Sequence, residues 1–191
     1  VVVMAEVPAE ASYVAHHKKK IAFLFAPMRR FARALRDDGF DVIYRRFDDD
    51  DGARTLGDVV AAAAERTRPQ RVCVAEPGEW RLLEEMRGWS ARLSLPVDIL
   101  DDDRFICSHR AFADFAGERE HLRMEYFYRE MRRRTGLLMD GDAPEGGRWN
   151  FDADNRAPAR GSARFSGPLR FAPGDEARAV IELVEAHFGG H

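Results

Sequence analysis

The chain has 191 residues, of which 45% are apolar and 33% are charged, and its formal net charge is −3. This balance is typical of a soluble globular domain and excludes a disordered chain. No apolar run approaches the ~18 residues that a membrane-spanning helix needs, so a membrane span is excluded. The two cysteines, Cys73 and Cys107, are too few for a four-thiolate zinc or iron–sulfur site and indicate reduced thiols in a cytoplasmic protein.

The first hundred residues alternate between short β-branched runs and longer amphipathic stretches. Strands are predicted at four places: Val1–Glu6, Asp41–Phe47, Arg71–Glu76 and Pro96–Leu100. The first helix is predicted from an apolar stripe at helical spacing: Ile21, Leu24, Phe25, Met28, Phe31, Ala32 and Leu35. Gly39 is expected to end this helix as its C-cap.

Two further helices are predicted between the later strands. Thr55 and Asp58 form a near capping box, which begins a helix that runs to about Thr67. The third helix has one apolar face, made of Leu82, Met86, Trp89 and Leu93. Strands that alternate with helices at this spacing predict an α/β fold, a doubly wound Rossmann-like or flavodoxin-like parallel sheet flanked by helices. Ligands in such folds bind beyond the carboxyl ends of the strands.

The pattern changes after Leu100 to a helical and linker extension. The predicted pieces are a short helix capped by Ser108, a helix at Met124–Thr135, an extended linker at Asp140–Arg170 and an amphipathic helix at Arg178–Phe188. The sequence therefore divides into an α/β domain at residues 1–122 and a helix, interdomain linker and C-terminal helix at residues 123–191.

Four segments carry candidate chemistry, and each has a plainer interpretation. The aspartates of Asp48–Gly52 favour a solvated turn over a metal loop, since calcium loops space their ligands at alternating positions. The basic segment His16–Lys20 either contacts phosphates or another domain or is a solvated helix end. Glu76–Trp80 either binds a small aromatic ligand or begins a helix. The aromatics of Glu125–Arg129 favour packing against the sheet or a following domain over stacking on bases. The sequence contains no nucleophile elbow, Walker loop, GxGxxG fingerprint or HExxH motif.

Several long motifs occur together in a fixed order. They are AEASYV and HHKKK within Ala9–Lys20, EPGEWR at Glu76–Arg81, MEYFYREMR at Met124–Arg132, TGLLM at Thr135–Met139 and GRWNFD at Gly147–Asp152. In these motifs the chain resembles the prokaryotic iron–sulfur cryptochrome/photolyase family, also called deoxyribodipyrimidine photolyase-related proteins. The likeness spans roughly residues 1–156.

The resemblance implies a two-domain parent protein. Its N-terminal α/β domain would carry an antenna chromophore, 6,7-dimethyl-8-ribityllumazine, and its C-terminal helical domain would bind FAD, a 4Fe-4S cluster and damaged DNA. Carried over to this chain, the antenna pocket would use Glu10, Tyr13 and Leu24. Glu10 would accept hydrogen bonds from ring or ribityl donors, Tyr13 would stack on the ring and Leu24 would exclude water. The catalytic flavin site would lie outside this segment.

The function that the resemblance implies is the antenna domain of a light-dependent DNA photolyase-like repair protein, of the (6-4) type. Two alternatives stay open: a blue-light photoreceptor without repair activity, and a free-standing Rossmann-like cofactor-binding module. The apolar start at Val1 reads as the middle of a strand, so we expect that the family's first strand precedes it and that the helical domain follows His191. An internal strand that is missing would leave the segment weakly stable on its own.

Overall fold

The structure, a computed structural model, describes residues 1–117, 119–156 and 166–190. The chain packs as two compact units, one made of Val1–Leu100 with Arg170–His191 and the other of Asp101–Leu169. These units describe packing within the chain. The division of the chain predicted at residue 122 is a division into functional domains and stays a prediction.

Four short parallel strands lie in the first unit. They are β1 (Val2–Ala5), β2 (Val42–Arg45), β3 (Val72–Ala75) and β4 (Val97–Leu100). Strand β1 pairs with β2 from Val2 opposite Val42 onward, and β3 pairs with β4 from Val72 opposite Val97 onward. The predicted α/β class with parallel strands is confirmed. Among the described residues the strands form two separate hydrogen-bonded pairs, and no ladder joins one pair to the other.

Five helices connect and flank these strands. They are α1 (Pro8–Ser12), α2 (Lys18–Asp37), α3 (Leu56–Thr67), α4 (Trp80–Arg87) and α5 (Trp89–Leu93). Helix α3 begins with the predicted capping box, because the Thr55 side chain accepts from the Asp58 amide and the Asp58 side chain accepts from the Thr55 amide. Helix α1 has no counterpart in the sequence prediction. The single helix predicted over Leu82 to Leu93 is wrong, because the chain tightens at Gly88, whose amide donates to the Glu85 carbonyl three residues back.

The second unit contains helices and one small hairpin. Its elements are α6 (His109–Ala116), α7 (Met124–Thr135), β5 (Met139–Asp140), β6 (Ala143–Pro144) and α8 (Asp152–Asn155), with a 3-10 turn at Glu145–Gly147. Strands β5 and β6 pair in the antiparallel sense. Phe127 of α7 packs on Phe112 and Phe115, with both ring centroids 5.0 Å away. Strand β6, the 3-10 turn and α8 lie within the predicted linker, which is therefore partly structured. Residues 157–165 of the linker lie outside the described part of the chain.

The core of the first unit forms where α2 packs on the last helix, α9 (Asp175–His187). Its buried members come from both ends of the chain: Ala11, Ile21, Phe25, Val180, Leu183, Val184 and Phe188. The ring of Phe47, which follows β2, lies 4.9 Å from the ring of Phe188. The C-terminal helix predicted from periodicity is thus part of the α/β unit's core.

The buried face of α2 differs from the predicted apolar stripe. Leu24 and Phe31 belong to that stripe in the sequence, yet they are 49% and 57% exposed. Arg29 is instead 8% exposed, because its guanidinium enters the interior to pair with a buried carboxylate, Glu6. The buried face of α2 therefore combines Ile21, Phe25 and Ala32 of the predicted stripe with one charged residue, Arg29. No helix in the described part of the chain has both the length and the apolarity of a bilayer span.

Candidate functional site

A cluster of polar and aromatic side chains lies at the carboxyl ends of β1 and β3. Glu10, on α1, follows β1, and its carboxylate accepts hydrogen bonds from Nη1 and Nη2 of Arg81 at 3.0 and 2.6 Å. Arg81 lies in the first turn of α4, which follows β3. The short helix α1 presents Glu10 because Pro8 begins it directly after the buried Val7. One bidentate ion pair therefore bridges the ends of two strands that share no ladder.

Tyr13 completes this arrangement, which we call the Glu10–Tyr13 cluster: Glu10, Tyr13, His16, Glu79 and Arg81. The Tyr13 hydroxyl donates to Oε1 of Glu79 at 3.3 Å, and Arg81 donates to Oε2 of Glu79 at 3.2 Å. The Arg81 guanidinium lies 4.5 Å from the Tyr13 ring centroid, and the His16 ring contacts Tyr13 edge-on at 4.9 Å. One face and one edge of the phenol ring are therefore already in contact with side chains of the chain.

The electrostatics of the cluster centre on Arg81. The hydrogen bonds from Arg81 to Glu10 raise the pKa of Arg81 above its ordinary value, against a smaller opposing effect of burial. The guanidinium is therefore fixed as a cation between two carboxylates, Glu10 and Glu79. The side chain of Glu10 is 24% exposed and Tyr13 is 46% exposed, so the cluster is open to a ligand from solvent.

The three residues predicted for the antenna pocket have different surroundings in the structure. Glu10 and Tyr13 both contact Arg81, and their role in an antenna pocket stays a prediction. Leu24 lies on α2 as a half-exposed apolar side chain, and its role as a pocket wall stays a prediction. Sequence reasoning misses Arg81 as a partner, although it singles out the segment Glu76–Trp80 at the end of β3. That segment is recognisable because it follows a strand end. The pairing of Arg81 with Glu10 spans 71 residues, and no local spacing in the sequence reveals it.

A second network that the sequence does not reveal lies at the end of β1. The fully buried Glu6 carboxylate accepts four hydrogen bonds: from Arg29 Nε at 2.6 Å, Arg29 Nη2 at 2.8 Å, the Tyr44 hydroxyl at 2.6 Å and the Phe47 amide at 3.0 Å. Burial, with the bond to Glu6, raises the pKa of Tyr44, and the bond to Glu6 raises the pKa of Arg29. The network fixes α2 and β2 around the end of β1.

The acidic turn after β2 is held by an arginine. Arg45 donates from Nη2 to Asp51 at 3.0 Å and from Nη1 to the Glu6 carbonyl at 2.7 Å. The bond from Arg45 lowers the pKa of Asp51. No group of three His, Cys, Asp or Glu side chains with the geometry of a metal site occurs in the part of the chain that the structure describes.

The basic segment at the start of α2 is partly used inside the first unit. His17 is the N-cap, and its Nδ1 accepts from the Lys19 amide at 3.1 Å. Lys18 pairs with Glu185 of α9 at 2.7 Å, and Lys20 Nζ lies 3.2 Å from Nδ1 of His16. These contacts favour a helix-end role for the segment over a dedicated phosphate site.

The second unit has its own cavity of about 750 Å³, beside α7. Its wall includes Tyr128, Arg132 and Trp149. The guanidinium of Arg132 lies 5.2 Å from the Trp149 ring and 5.4 Å from the Tyr128 ring. Phe127 packs on Phe112 and Phe115 of α6 rather than on the sheet, and the stacking of these aromatics on bases stays untested.

The geometry defines an α/β protein of parallel strands, with a mixed carboxylate, guanidinium and phenol cluster where such folds bind their ligands. The family described as deoxyribodipyrimidine photo-lyase-related protein matches the chain over residues 1–191, and the chain belongs to this family. The resemblance carried by the motifs is thereby confirmed.

Two relatives extend this finding. The chain is 52% identical over 187 residues to a (6-4) photolyase of Agrobacterium fabrum (strain C58 / ATCC 33970), a match that covers 98% of this chain and 37% of that protein. It is 25% identical over 141 residues to the uncharacterized protein R852 of Acanthamoeba polyphaga mimivirus, covering 72% of this chain and 69% of that protein. The chain thus spans a little over a third of the length of the photolyase that it matches.

Proposed function

We propose that this chain is the antenna-chromophore domain of a light-dependent, FAD-containing DNA photolyase of the (6-4) type. The observation that carries the proposal is the Glu10–Tyr13 cluster at the carboxyl ends of β1 and β3, in a chain 52% identical to a (6-4) photolyase. A DNA repair role implies the cytoplasmic location expected from the sequence, because a bacterial chromosome lies there.

The donor set of the cluster suits 6,7-dimethyl-8-ribityllumazine. When bound, this chromophore absorbs light and passes the excitation energy on. The Glu10 carboxylate would accept hydrogen bonds from ring or ribityl donors, and Arg81 would donate to acceptors of the ligand. Tyr13 offers an aromatic surface for the ring system, and Leu24 an apolar side chain. Because Arg81 lies 4.5 Å above the Tyr13 ring, a ligand that stacks on that face displaces the guanidinium.

The remaining cofactors belong in this proposal to the rest of the protein. FAD and a 4Fe-4S cluster would be bound by a helical domain together with damaged DNA. The two cysteines of this chain cannot supply the four thiolates that such a cluster takes. The role of the present residues is therefore to bind and orient the antenna.

The antenna site is tested in the complete natural protein by absorption spectroscopy. Glu10→Gln removes the ion pair with Arg81 and the carboxylate acceptor, and Tyr13→Leu removes the aromatic surface. Glu10→Gln should lower the lumazine-to-flavin ratio about tenfold, since a hydrogen bond to a charged group contributes about 1.5–3 kcal/mol. Tyr13→Leu should lower it about two- to tenfold, the effect of losing an aromatic pair.

Glu84→Gln is the matched control, because it breaks an exposed ion pair with Arg87 on the same helix as Arg81. The control should keep the lumazine content of the unchanged protein. Full lumazine content in both site variants would contradict the assignment of Glu10 and Tyr13.

The activity is tested with DNA that carries a (6-4) photoproduct. The complete protein should restore the lesion under blue light and not in the dark. A protein that binds flavin but leaves the lesion intact under light would refute repair and favour the photoreceptor alternative. A protein purified without flavin would refute both and favour a free-standing cofactor-binding module.

A further inference from the structure

A cavity of about 310 Å³ lies in the first unit, where it opens between α2, the end of β2 and the first turns of α9. Eight residues line it: Arg29, Ala32, Arg33, Arg36, Tyr44, Arg46, Glu176 and Ala179. None of them belongs to the Glu10–Tyr13 cluster, so a ligand bound in this cavity would be independent of the proposed antenna function.

The cavity, which we call the arginine cavity, carries an excess of positive charge. Four of its eight lining residues are arginines and one is a carboxylate. Arg29 is neutralised by the buried Glu6, and Arg33 pairs with Glu176 at 3.0 Å. Two guanidiniums therefore stay uncompensated within this wall.

Those two guanidiniums are Arg36 and Arg46. Arg36 donates from Nη2 to the Val42 carbonyl at 3.0 Å, which fixes its position, and within the described ranges no carboxylate pairs with its charge. The Arg46 side chain has no carboxylate within ion-pair distance among the described residues. Like charges held around one small volume repel each other, and a bound anion relieves that repulsion.

The rest of the wall is apolar. Ala32, Tyr44 and Ala179 complete the lining. The Tyr44 hydroxyl already donates to Glu6, so its proton is not available to a ligand in the cavity. A volume of about 310 Å³ lies at the lower end of the range of small-molecule sites.

From these features we propose that the arginine cavity binds a small phosphorylated molecule with an apolar or aromatic end. The guanidiniums of Arg36 and Arg46 bind the phosphate, because the planar fork of arginine matches pairs of phosphate oxygens. Tyr44, Ala32 and Ala179 contact the other end. Glu176 lowers the affinity for the phosphate, because its carboxylate repels the phosphate and already pairs with Arg33.

The proposal is tested by isothermal titration calorimetry of the complete natural protein at constant ionic strength. The probes are inorganic phosphate and phenyl phosphate. Phenyl phosphate should bind saturably and more tightly than inorganic phosphate, because only the ester has a group for the apolar wall. Equal affinity of the two probes would overturn the assignment of that wall.

Variants locate the binding. Arg46→Gln and Arg36→Gln should each weaken phenyl phosphate binding at least about tenfold, the effect of losing one charge-assisted contact. Arg30→Gln is the matched control, because Arg30 is an exposed arginine of α2 outside the cavity, and it should change the affinity less than about twofold. Arg46 donates no side-chain hydrogen bond within the described fold, so its variant keeps the structure intact.

Glu176→Gln provides a test in the opposite direction. It frees Arg33 and removes the one carboxylate of the wall, so phenyl phosphate should bind about threefold more tightly or better. Unchanged affinity in Arg46→Gln, or weaker affinity in Glu176→Gln, would overturn the site. So would duplex DNA binding that depends on Arg46 while neither small probe binds, since the cavity would then contact a nucleic-acid backbone.

Discussion

Replacing Glu6 by glutamine should loosen the first unit more than any exposed charge change. Each oxygen of this fully buried carboxylate accepts two hydrogen bonds, Oε1 from Arg29 and Tyr44 and Oε2 from Arg29 and Phe47. In either orientation a glutamine amide would turn its NH₂ group toward two donors. Arg29, itself 8% exposed, would also lose its counter-charge. Breaking a buried pair in this way costs about 3–5 kcal/mol.

Hydrogen exchange of the complete protein, followed by mass spectrometry, measures this loss locally. Peptides that cover β1 and α2 should exchange roughly 100- to 4,000-fold faster in Glu6→Gln, which is the same 3–5 kcal/mol expressed as a ratio of opening constants. Asp98→Asn is the control. Its ion pair with Arg71 is exposed, at 43% and 65% of the two side chains, so its own segment should change less than about fivefold.

Equal effects in the two variants would refute the reasoning. The double variant Glu6→Leu with Arg29→Met adds a sharper condition. Removing both charges leaves no buried ion without a partner, so the double variant should exchange more slowly than Glu6→Gln alone. Exchange in the double variant as fast as in Glu6→Gln would show that the cost comes from packing and not from the unpaired guanidinium.

Three further variants probe other parts of the first unit. Phe188→Ala, at the residue that follows α9, should destabilise the packing of this end of the chain on α2 by about 3–5 kcal/mol, measured by local hydrogen exchange. Ile181→Ala, at a 45% exposed position of α9, should cost less than about 1 kcal/mol. Thr55→Ala should cost about 0.5–2 kcal/mol, seen as fraying of α3, because it removes the N-cap acceptor of the Asp58 amide. The raised pKa of Tyr44 means that its stabilising effect is present below about pH 10, where the unfolded tyrosine is protonated, and is lost as the pH rises above that value. Tyr44→Phe should therefore show a shallower alkaline decline of the melting temperature. An unchanged decline would contradict the burial of the hydroxyl.

Much of the secondary structure is accessible from local patterns. All four strands of the first unit fall within the predicted runs, because β-branched residues bounded by turn residues carry their signal within a few positions. The capping box at Thr55 is also predictable, since its two partners lie three residues apart. The break between α4 and α5 is not, because Gly88 inside an amphipathic pattern is compatible with a continuous helix.

The candidate site is accessible only in part. The family resemblance indicates Glu10 and Tyr13, and position after a strand end indicates the Glu76–Trp80 segment. That Arg81 joins the two depends on how the strand ends lie in space, and no spacing along the chain records it. The Glu6–Arg29 pair is also not predictable from the sequence, since a charged residue on a helix is by default expected in solvent.

The contacts of the candidate site have a second consequence, because they lie where the two strand pairs approach each other. Strands β1 and β3 share no ladder hydrogen bond in the described fold, yet Glu10 with Arg81 and Tyr13 with Glu79 connect the segments that come after them. An antenna that takes over the Glu10 carboxylate and the Tyr13 ring would replace the protein's own contacts with ligand contacts at the same place. Its binding would then have to offset the loss of a bidentate ion pair, so affinity at this site depends on Arg81 finding new acceptors on the ligand.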